Sequence, residues 1–277
     1  AYLSVMEALK HGGIANRTKV SIKWVDSEFL TPESLDDTFA GVDGIIIPGG
    51  FGSRGTEGMI LAANYARENK IPFLGICLGM QMAMVAFARN VLGYEDANSS
   101  ELNPDTTHPV VDLMPDQNGI ENLGGTLRLG SYPCVLDKKS KAYALYGTEL
   151  INERHRHRFE INNHYRDDFT SHGMMISGQS PDGHIVEMIE LPDHPFYVGI
   201  QAHPELKSRP NHAHPLFAGF VESAEEQGVL RRAKKLLMKR NHLSEPEAHR
   251  YLQKTSMDTG RTMTESAHMV TMLIQED

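Results

Sequence analysis

The chain has 277 residues, 40% of them apolar and 23% charged, with a formal net charge of −9. That length suits one large α/β domain with something small beside it. With two cysteines, Cys77 and Cys134, and no signal peptide in view, it reads as a reduced, cytoplasmic protein; the apolar stretch 71–88 nears membrane-spanning length but is broken by Pro72, Gly75, Gly79 and Gln81.

In chain order, hydrophobic patterning predicts strands at 20–25, 44–48 and 73–76 and helices at 57–68 and 78–90. This alternation predicts an α/β fold, a doubly wound and mostly parallel sheet flanked by helices, with its active site at the strand C-termini. At 45–50, three isoleucines run into Pro48-Gly49-Gly50. A buried strand ending in such a loop lets backbone approach a ligand closely and donate amides to an oxyanion. Taken alone, it would be a plain glycine-rich turn.

Residues 75–79 read Gly-Ile-Cys-Leu-Gly, between an apolar strand and a helix. A strand that turns abruptly into a helix at a lone nucleophile needs small residues two before and two after it, because side chains there would collide. Gly75 and Gly79 fill those places, so Cys77 is the predicted nucleophile. The turn sets its sulfur at a helix N-terminus, where unpaired amides and the macrodipole favour a thiolate. The competing reading is an inert core thiol, which is how Cys134 is read.

Residues 98–122, dense in Asn, Asp and Pro, predict a surface excursion shaped around substrate, and 124–202 is richer in strands, with a hairpin at 180–183. At 154–158 the run Arg-His-Arg-His-Arg would put three arginines on one face of a strand and His155 and His157 on the other. The His-x-His pair invites a metal, but no third ligand accompanies it at a telling spacing, and the same holds for His212 and His214. Gln201-Ala202-His203-Pro204-Glu205 offers a proton shuttle. Pro204 keeps His203 out of helical geometry, and alternation puts His203 and Glu205 on one side. The imidazole would take the proton of Cys77 while the carboxylate fixes its tautomer, which predicts a Cys-His-Glu triad.

Beyond residue 224 the text changes: 1–224 carry a net −10 and 225–277 a net +1. Arg231, Arg232, Lys234, Lys235, Lys239 and Arg240 place six positive charges in ten residues, which on charge alone is a solvated helix face. Three short helices are expected. The first holds Leu230, Ala233 and Leu237 inward; the second starts with a capping box at Ser244 and Glu247 and turns Ala248, Tyr251, Leu252 and Thr255 inward; the third carries Ala267, Val270 and Ile274.

The runs at 48–52 (PGGFG), 58–60 (GMI), 66–69 (AREN), 74–81 (LGICLGMQ), 98–101 (NSSE), 123–130 (LGGTLRLG), 153–158 (ERHRHR) and 214–220 (HPLFAGF) cover nearly all of 1–224. In them the chain resembles the class I (triad) glutamine amidotransferases, and among these the glutaminase domain of CTP synthase. The resemblance implies attack of Cys77 on the carboxamide of L-glutamine, backbone amides of Gly50 and Leu78 around the oxyanion, and Gln81, Glu101 and Arg156 on the substrate's α-amino and α-carboxylate groups beside Phe51. An anion and a bidentate arginine suit a zwitterion. It further implies no metal or cofactor in this half, with ATP, UTP, Mg and GTP belonging to a complete CTP synthase, a synthetase domain or subunit as partner, and a homo-oligomer. The chain opens inside what resembles the first helix of that fold, so the strand before it is expected to be missing from a domain spanning 1–224.

Residues 225–277 are similar to the ANTAR domain, in 233–238 (AKKLLM), 243–245 (LSE), 247–248 (EA), 250–254 (RYLQK), 256–258 (SMD), Arg261 and Thr262. That likeness implies a three-helix domain binding paired RNA hairpin loops, with Lys234, Lys235, Lys239, Arg240, Arg250 and Lys254 as contacts. Two functions are then open: a glutaminase carrying a regulatory or passenger tail, or an RNA-binding antitermination regulator whose amidotransferase-like part senses glutamine.

Overall fold

The computed structural model describes residues 2–113 and 128–275, which form two compact units, Ala1–Val221 and Glu222–Asp277. The first contains α1 (Tyr2–Ala15), α2 (Leu35–Phe39), β1 (Ile45–Ile47), α3 (Thr56–Glu68), β2 (Phe73–Ile76), α4 (Leu78–Phe87), β3 (Asn98–Ser99), β4 (Pro109–Leu113), β5 (Arg128–Leu136), α5 (Lys141–Tyr146), β6 (Leu150–His157), β7 (Phe159–Ile161), α6 (Arg166–Ser171), β8 (Met175–Gln179), β9 (Val186–Glu190), β10 (Tyr197–Ile200) and the opening of α7 (Pro215–Asn241). Seven strands make one sheet in the order β1-β2-β10-β9-β8-β5-β6, while β3, β4 and β7 form a smaller one. The large sheet is parallel across β1, β2 and β10 and antiparallel beyond, in the strand-rich later part.

β2 is buried along its whole length, as a continuous apolar run covered on both faces must be. Alternation along it feeds two cores: Phe73 joins Ile45, Ile47 and the apolar sides of α3 and α4, and Leu74 and Ile76 join residues of α1, β10 and α7. Phe73 stacks on Tyr197 of its paired strand at 4.4 Å between ring centroids. Such a pair adds about 0.5–1.5 kcal/mol beyond its buried area. All ten residues of α4 are buried, the pattern of a helix apolar all round that lies inside a domain, and a π-turn at Ala88–Leu92 ends it. Among the described residues no helix is long and apolar enough to cross a membrane.

Residues 20–25 are not a strand. Val20, Ile22 and Val25 pack partly buried against the cores, but Trp24, the next position in a strand's alternation, is 62% exposed, and this stretch has no ladder partner among the described residues. The hairpin at 180–183 joins β8 to β9 through Gly183 at φ 77°, its N–H donating to Ser180 O at 2.8 Å. Of the excursion at 98–122, the part from 114 onward lies outside the described residues, as do 123–127 of the LGGTLRLG run.

The second unit packs Val229, Ala233 and Leu237 of α7 with Ala248 and Leu252 of α8 (Glu245–Thr259) and Ala267 and Val270 of α9 (Met263–Gln275). The capping box is present, with the Ser244 N–H donating to Glu247 Oε2 at 2.8 Å. Two expectations are corrected. The first helix is not short, since α7 runs unbroken from Pro215; a shift in composition near residue 224 is not a helix stop signal. Tyr251 does not turn inward but is 46% exposed, because Ala248 and Leu252, one turn apart, already fill the inward stripe. The side chain of Ile274 lies outside the described residues.

Candidate active site

β2 ends at Ile76 and α4 begins at Leu78, so Cys77 alone makes the turn, at φ 52° and ψ −106°. Such a backbone costs a non-glycine residue about 1–3 kcal/mol and persists only where the surroundings impose it. Here they do. The Cys77 N–H donates to Ile200 O of β10 at 2.7 Å, and its carbonyl accepts from Gln81 N at 3.2 Å. The flanking glycines are steric necessities: a Cβ on Gly75 would lie 2.7 Å from Gly79 O, and one on Gly79 only 2.0 Å from Ile47 O.

His203 follows β10, with its N–H donating to Arg154 O of β6 at 2.7 Å. A Cβ on Gly49 would sit 2.7 Å from His203 Cε1 and 3.4 Å from Cys77 Cβ, so ring and Cys77 side chain converge over a glycine at the start of the loop that follows β1. His203 Nδ1 and Glu205 Oε1 are 2.8 Å apart. Nε2 is buried without an aligned hydrogen-bond partner among the described residues, and the sulfur lies beside it. Resting sites often hold their reacting pair in such loose alignment. Burial disfavours the charged ring, but Cys77 and Glu205 outweigh it and push His203 up to about 10.

Cys77 opens into a cavity of about 370 Å³. Gly50, Phe51, Leu78, Gln81, Glu101 and Arg156 all line it, together with Gly52, His157, Arg158 and Phe159; His203 and Glu205 do not. A Cβ on Gly50 would come within 3.3 Å of Leu78 Cδ2, so the loop after β1 and the first turn of α4 meet at the sulfur. Leu78 heads α4, and its N–H is among those with no acceptor within the helix. The guanidinium of Arg156 lies 5.9 Å from the Phe51 ring, which is 70% exposed at the mouth.

One residue beside the sulfur received no role from the sequence: Gln201, fully buried, whose Nε2 is 3.7 Å from Cys77 Sγ. Its one mark in the sequence is its place two residues before His203; Pro204–Leu206 form a 3-10 turn, so Glu205 reaches the ring from that turn and not by the extended alternation expected.

Along β6 the arginines 154 and 156 are exposed and His155 and His157 buried. The two rings meet at 2.9 Å, and burial followed by the charge of Arg128 drives them down to about 2 and about 3. Arg128 itself bridges Glu160 at 3.2 Å and Glu187 at 2.7 Å. Among the described residues no group of three His, Cys, Asp or Glu side chains is placed to hold a metal. In the second unit, Lys234 Nζ is tied to Glu245 Oε1 at 2.6 Å, whereas Lys235, Lys239 and Arg240 are exposed on α7 and Arg250 and Lys254 on α8.

The family model for glutamine amidotransferase class-I matches residues 1–223, and that for the ANTAR domain matches 220–270. The chain is 60% identical over 227 residues to the CTP synthase of Clostridium beijerinckii, covering 82% of this chain and 42% of that protein. It is 59% identical over 221 residues to the CTP synthase of Carboxydothermus hydrogenoformans, covering 80% and 41%. It thus spans less than half the length of these relatives. Among solved structures, the glutaminase domain of Trypanosoma brucei CTPS with bound acivicin matches with a TM-score of 0.77 at 37% identity, over 81% of this chain and 88% of that one. A putative GMP synthase subunit from Thermoplasma acidophilum, at 16% identity and a TM-score of 0.52, shares the fold. An elbow cysteine, an imidazole and a lined cavity at the end of a mixed α/β sheet are thus joined to this kinship: the chain belongs to the class-I glutamine amidotransferases, is of the CTP synthase type, and carries an ANTAR domain match at its C-terminal end.

Proposed function

We propose that this chain hydrolyses the carboxamide of L-glutamine through Cys77, His203 and Glu205, and that the ammonia serves conversion of UTP to CTP in a synthetase domain or subunit. The observation that carries the reading is the convergence of the Cys77 and His203 side chains over Gly49, with the ring anchored on Glu205 at 2.8 Å. Sγ attacks the carboxamide carbon, and the developing oxyanion meets the amides of Gly50 and Leu78. The C–N bond breaks, nitrogen takes the His203 proton, and ammonia leaves a γ-glutamyl thioester. The neutral imidazole then accepts a proton from water as its oxygen attacks the thioester carbon. The C–S bond breaks, glutamate leaves, and the charged ring again stands beside the sulfur. Gln81, Glu101 and Arg156, all on the cavity wall, would hold the zwitterionic end of the substrate.

The test is release of glutamate by the purified chain, beside Cys77→Ala. Loss of turnover by at least about a thousandfold is expected on removal of the nucleophile. Equal rates in the two proteins would reject the reading.

The ANTAR match and the exposed Lys235, Lys239, Arg240, Arg250 and Lys254 favour a second activity, binding of an RNA with paired hairpin loops by the C-terminal unit. A gel-shift titration with a two-hairpin RNA tests it, and no binding at low salt would remove it.

A further inference from the structure

Gln201 directly follows β10 with its main chain held, the N–H donating to Glu187 O at 2.9 Å, and its side chain fully buried between two residues of the α4 turn. One fixed acceptor dictates the polarity of two side-chain amides. Gln81 Nε2 lies 3.1 Å from the carbonyl oxygen of Phe159, which can only accept, so the amino end of the Gln81 amide must face it. That same Nε2 is 3.3 Å from the second amide, which must therefore present its oxygen, Gln201 Oε1. With Oε1 so engaged, the NH₂ of Gln201 is directed at Cys77 Sγ, 3.7 Å away. The opposite flip of either amide would set donor against donor or acceptor against acceptor between buried groups, at a cost of about 1–3 kcal/mol.

We propose that Gln201 is a positioning residue of the glutaminase site that acts in two directions: it donates a hydrogen bond to the attacking sulfur, and through Gln81 it sets which end of that amide the cavity receives. The first holds Sγ in one rotamer and is stronger when the sulfur carries charge, as any hydrogen bond to an ionised acceptor is. The second leaves Gln81, with both bonds described for its Nε2 made to Phe159 and Gln201, to offer its oxygen to the cavity it lines. An oxygen there suits the α-ammonium of an amino acid and repels its carboxylate. One buried amide thereby couples nucleophile orientation to recognition of the substrate's charged end. This rests on the glutaminase reading for its substrate, but the part that concerns the sulfur does not.

The two directions separate in two variants. Gln201→Glu keeps an oxygen for Gln81 but turns the sulfur's donor into a carboxylate; Gln201→Met removes both contacts at nearly constant volume. In the full chain, the rate of Cys77 alkylation by iodoacetamide should fall about tenfold or more in both, as expected for loss of one charge-assisted hydrogen bond. The KM for glutamine should rise several-fold in Gln201→Met and stay within about twofold of the parent in Gln201→Glu. Alkylation unchanged in both, with unfolding midpoints like the parent's, overturns the proposal; so does a KM rising equally in both. If neither variant folds, Gln81→Leu replaces them: it frees the Gln201 amide, so slower alkylation of Cys77 supports the proposal and an unchanged rate overturns it. Because alkylation needs no glutamine turnover, an inactive parent would defeat the glutaminase reading without touching this result.

Discussion

A methyl group on Gly79 would sit 2.0 Å from the carbonyl oxygen of Ile47, and both atoms belong to backbone that packs α4 against β1. Nothing flexible can yield there. Gly79→Ala should cost more than about 4 kcal/mol, in the range reserved for severe overpacking, and chemical denaturation should find the protein largely unfolded. Gly93 makes the contrast: its φ is 77°, yet a Cβ there meets nothing within 4 Å, so Gly93→Ala should cost only the left-handed strain of about 1–2 kcal/mol. Equal losses in the two variants would contradict the steric account of the elbow. His203 supplies a second expectation. Its folded value of about 10 lies above the ordinary 6.5, so the stability it contributes is complete below about pH 6.5 and is lost as pH rises from there through 10. Glu205→Gln removes a partner that holds the ring charged, so the unfolding free energy of the parent should decline more steeply across that window than the variant's. Parallel profiles would show that the ring is not held by this carboxylate. The elbow was legible in the sequence because its constraint is local, two glycines about one cysteine. Gln201 was not, because its meaning depends on Gln81, 120 positions away, and on a Phe159 carbonyl that no residue type announces.

At the scale of elements, periodicity reported burial better than pairing, with Tyr251 and Trp24 as its exceptions. Val20 and Ile22 turn partly inward at strand spacing, but Trp24 breaks the alternation by facing out and Val25 turns in instead; a strand also needs a neighbouring backbone, and sequence patterning carries no information about that neighbour. β2 and α4 were legible for the complementary reason: each is apolar on every side, and only the middle of a layered domain accepts such segments. The buried polar knot across β5, β7 and β9 was invisible, since Arg128, Glu160 and Glu187 are distant in sequence and no local pattern marks them as partners. Burial, moderated by Arg128 and reinforced by Glu187, pushes Glu160 up to about 8. Arg128→Met should therefore strand two buried carboxylates and cost about 3–5 kcal/mol near pH 8, where neither has a counter-charge. The sign comes from the raised value: the proton on Glu160 contributes stability that is complete below about 4.5 and lost as pH rises through about 8. The penalty of the substitution should thus shrink towards pH 5, where protonation removes the repulsion. Denaturation curves at pH 5 and pH 8 read the difference, and a penalty independent of pH would argue that Arg128 acts by packing alone.

For the molecule as a whole, the distribution of charge decides what kind of nucleic-acid contact is physically open to it. The chain carries a net −9, of which residues 1–224 hold −10, so long-range steering repels RNA rather than gathering it. Any RNA site must work at contact distance, within the screening length of about 8 Å at physiological ionic strength, and must be built from cations not already neutralised by neighbours. That criterion separates residues which composition had pooled. Arg232 is paired with Glu225 at 3.0 Å and Lys234 with Glu245 at 2.6 Å, whereas Lys235 and Lys239, one turn apart on α7, have no ion-pair partner among the described residues. Counterion release then makes a quantitative prediction. For a two-hairpin RNA, replacing Lys235 and Lys239 together by Gln should reduce the slope of log K against log salt by about 2, while Lys234→Gln, which breaks an internal pair, should change it by much less. Raising salt should weaken the parent's binding even though it screens the repulsion from the acidic unit, because released phosphate counterions outweigh that gain. Binding that strengthens with salt, or a slope that responds to Lys234 as much as to the other pair, would mean that the RNA is held by some other face.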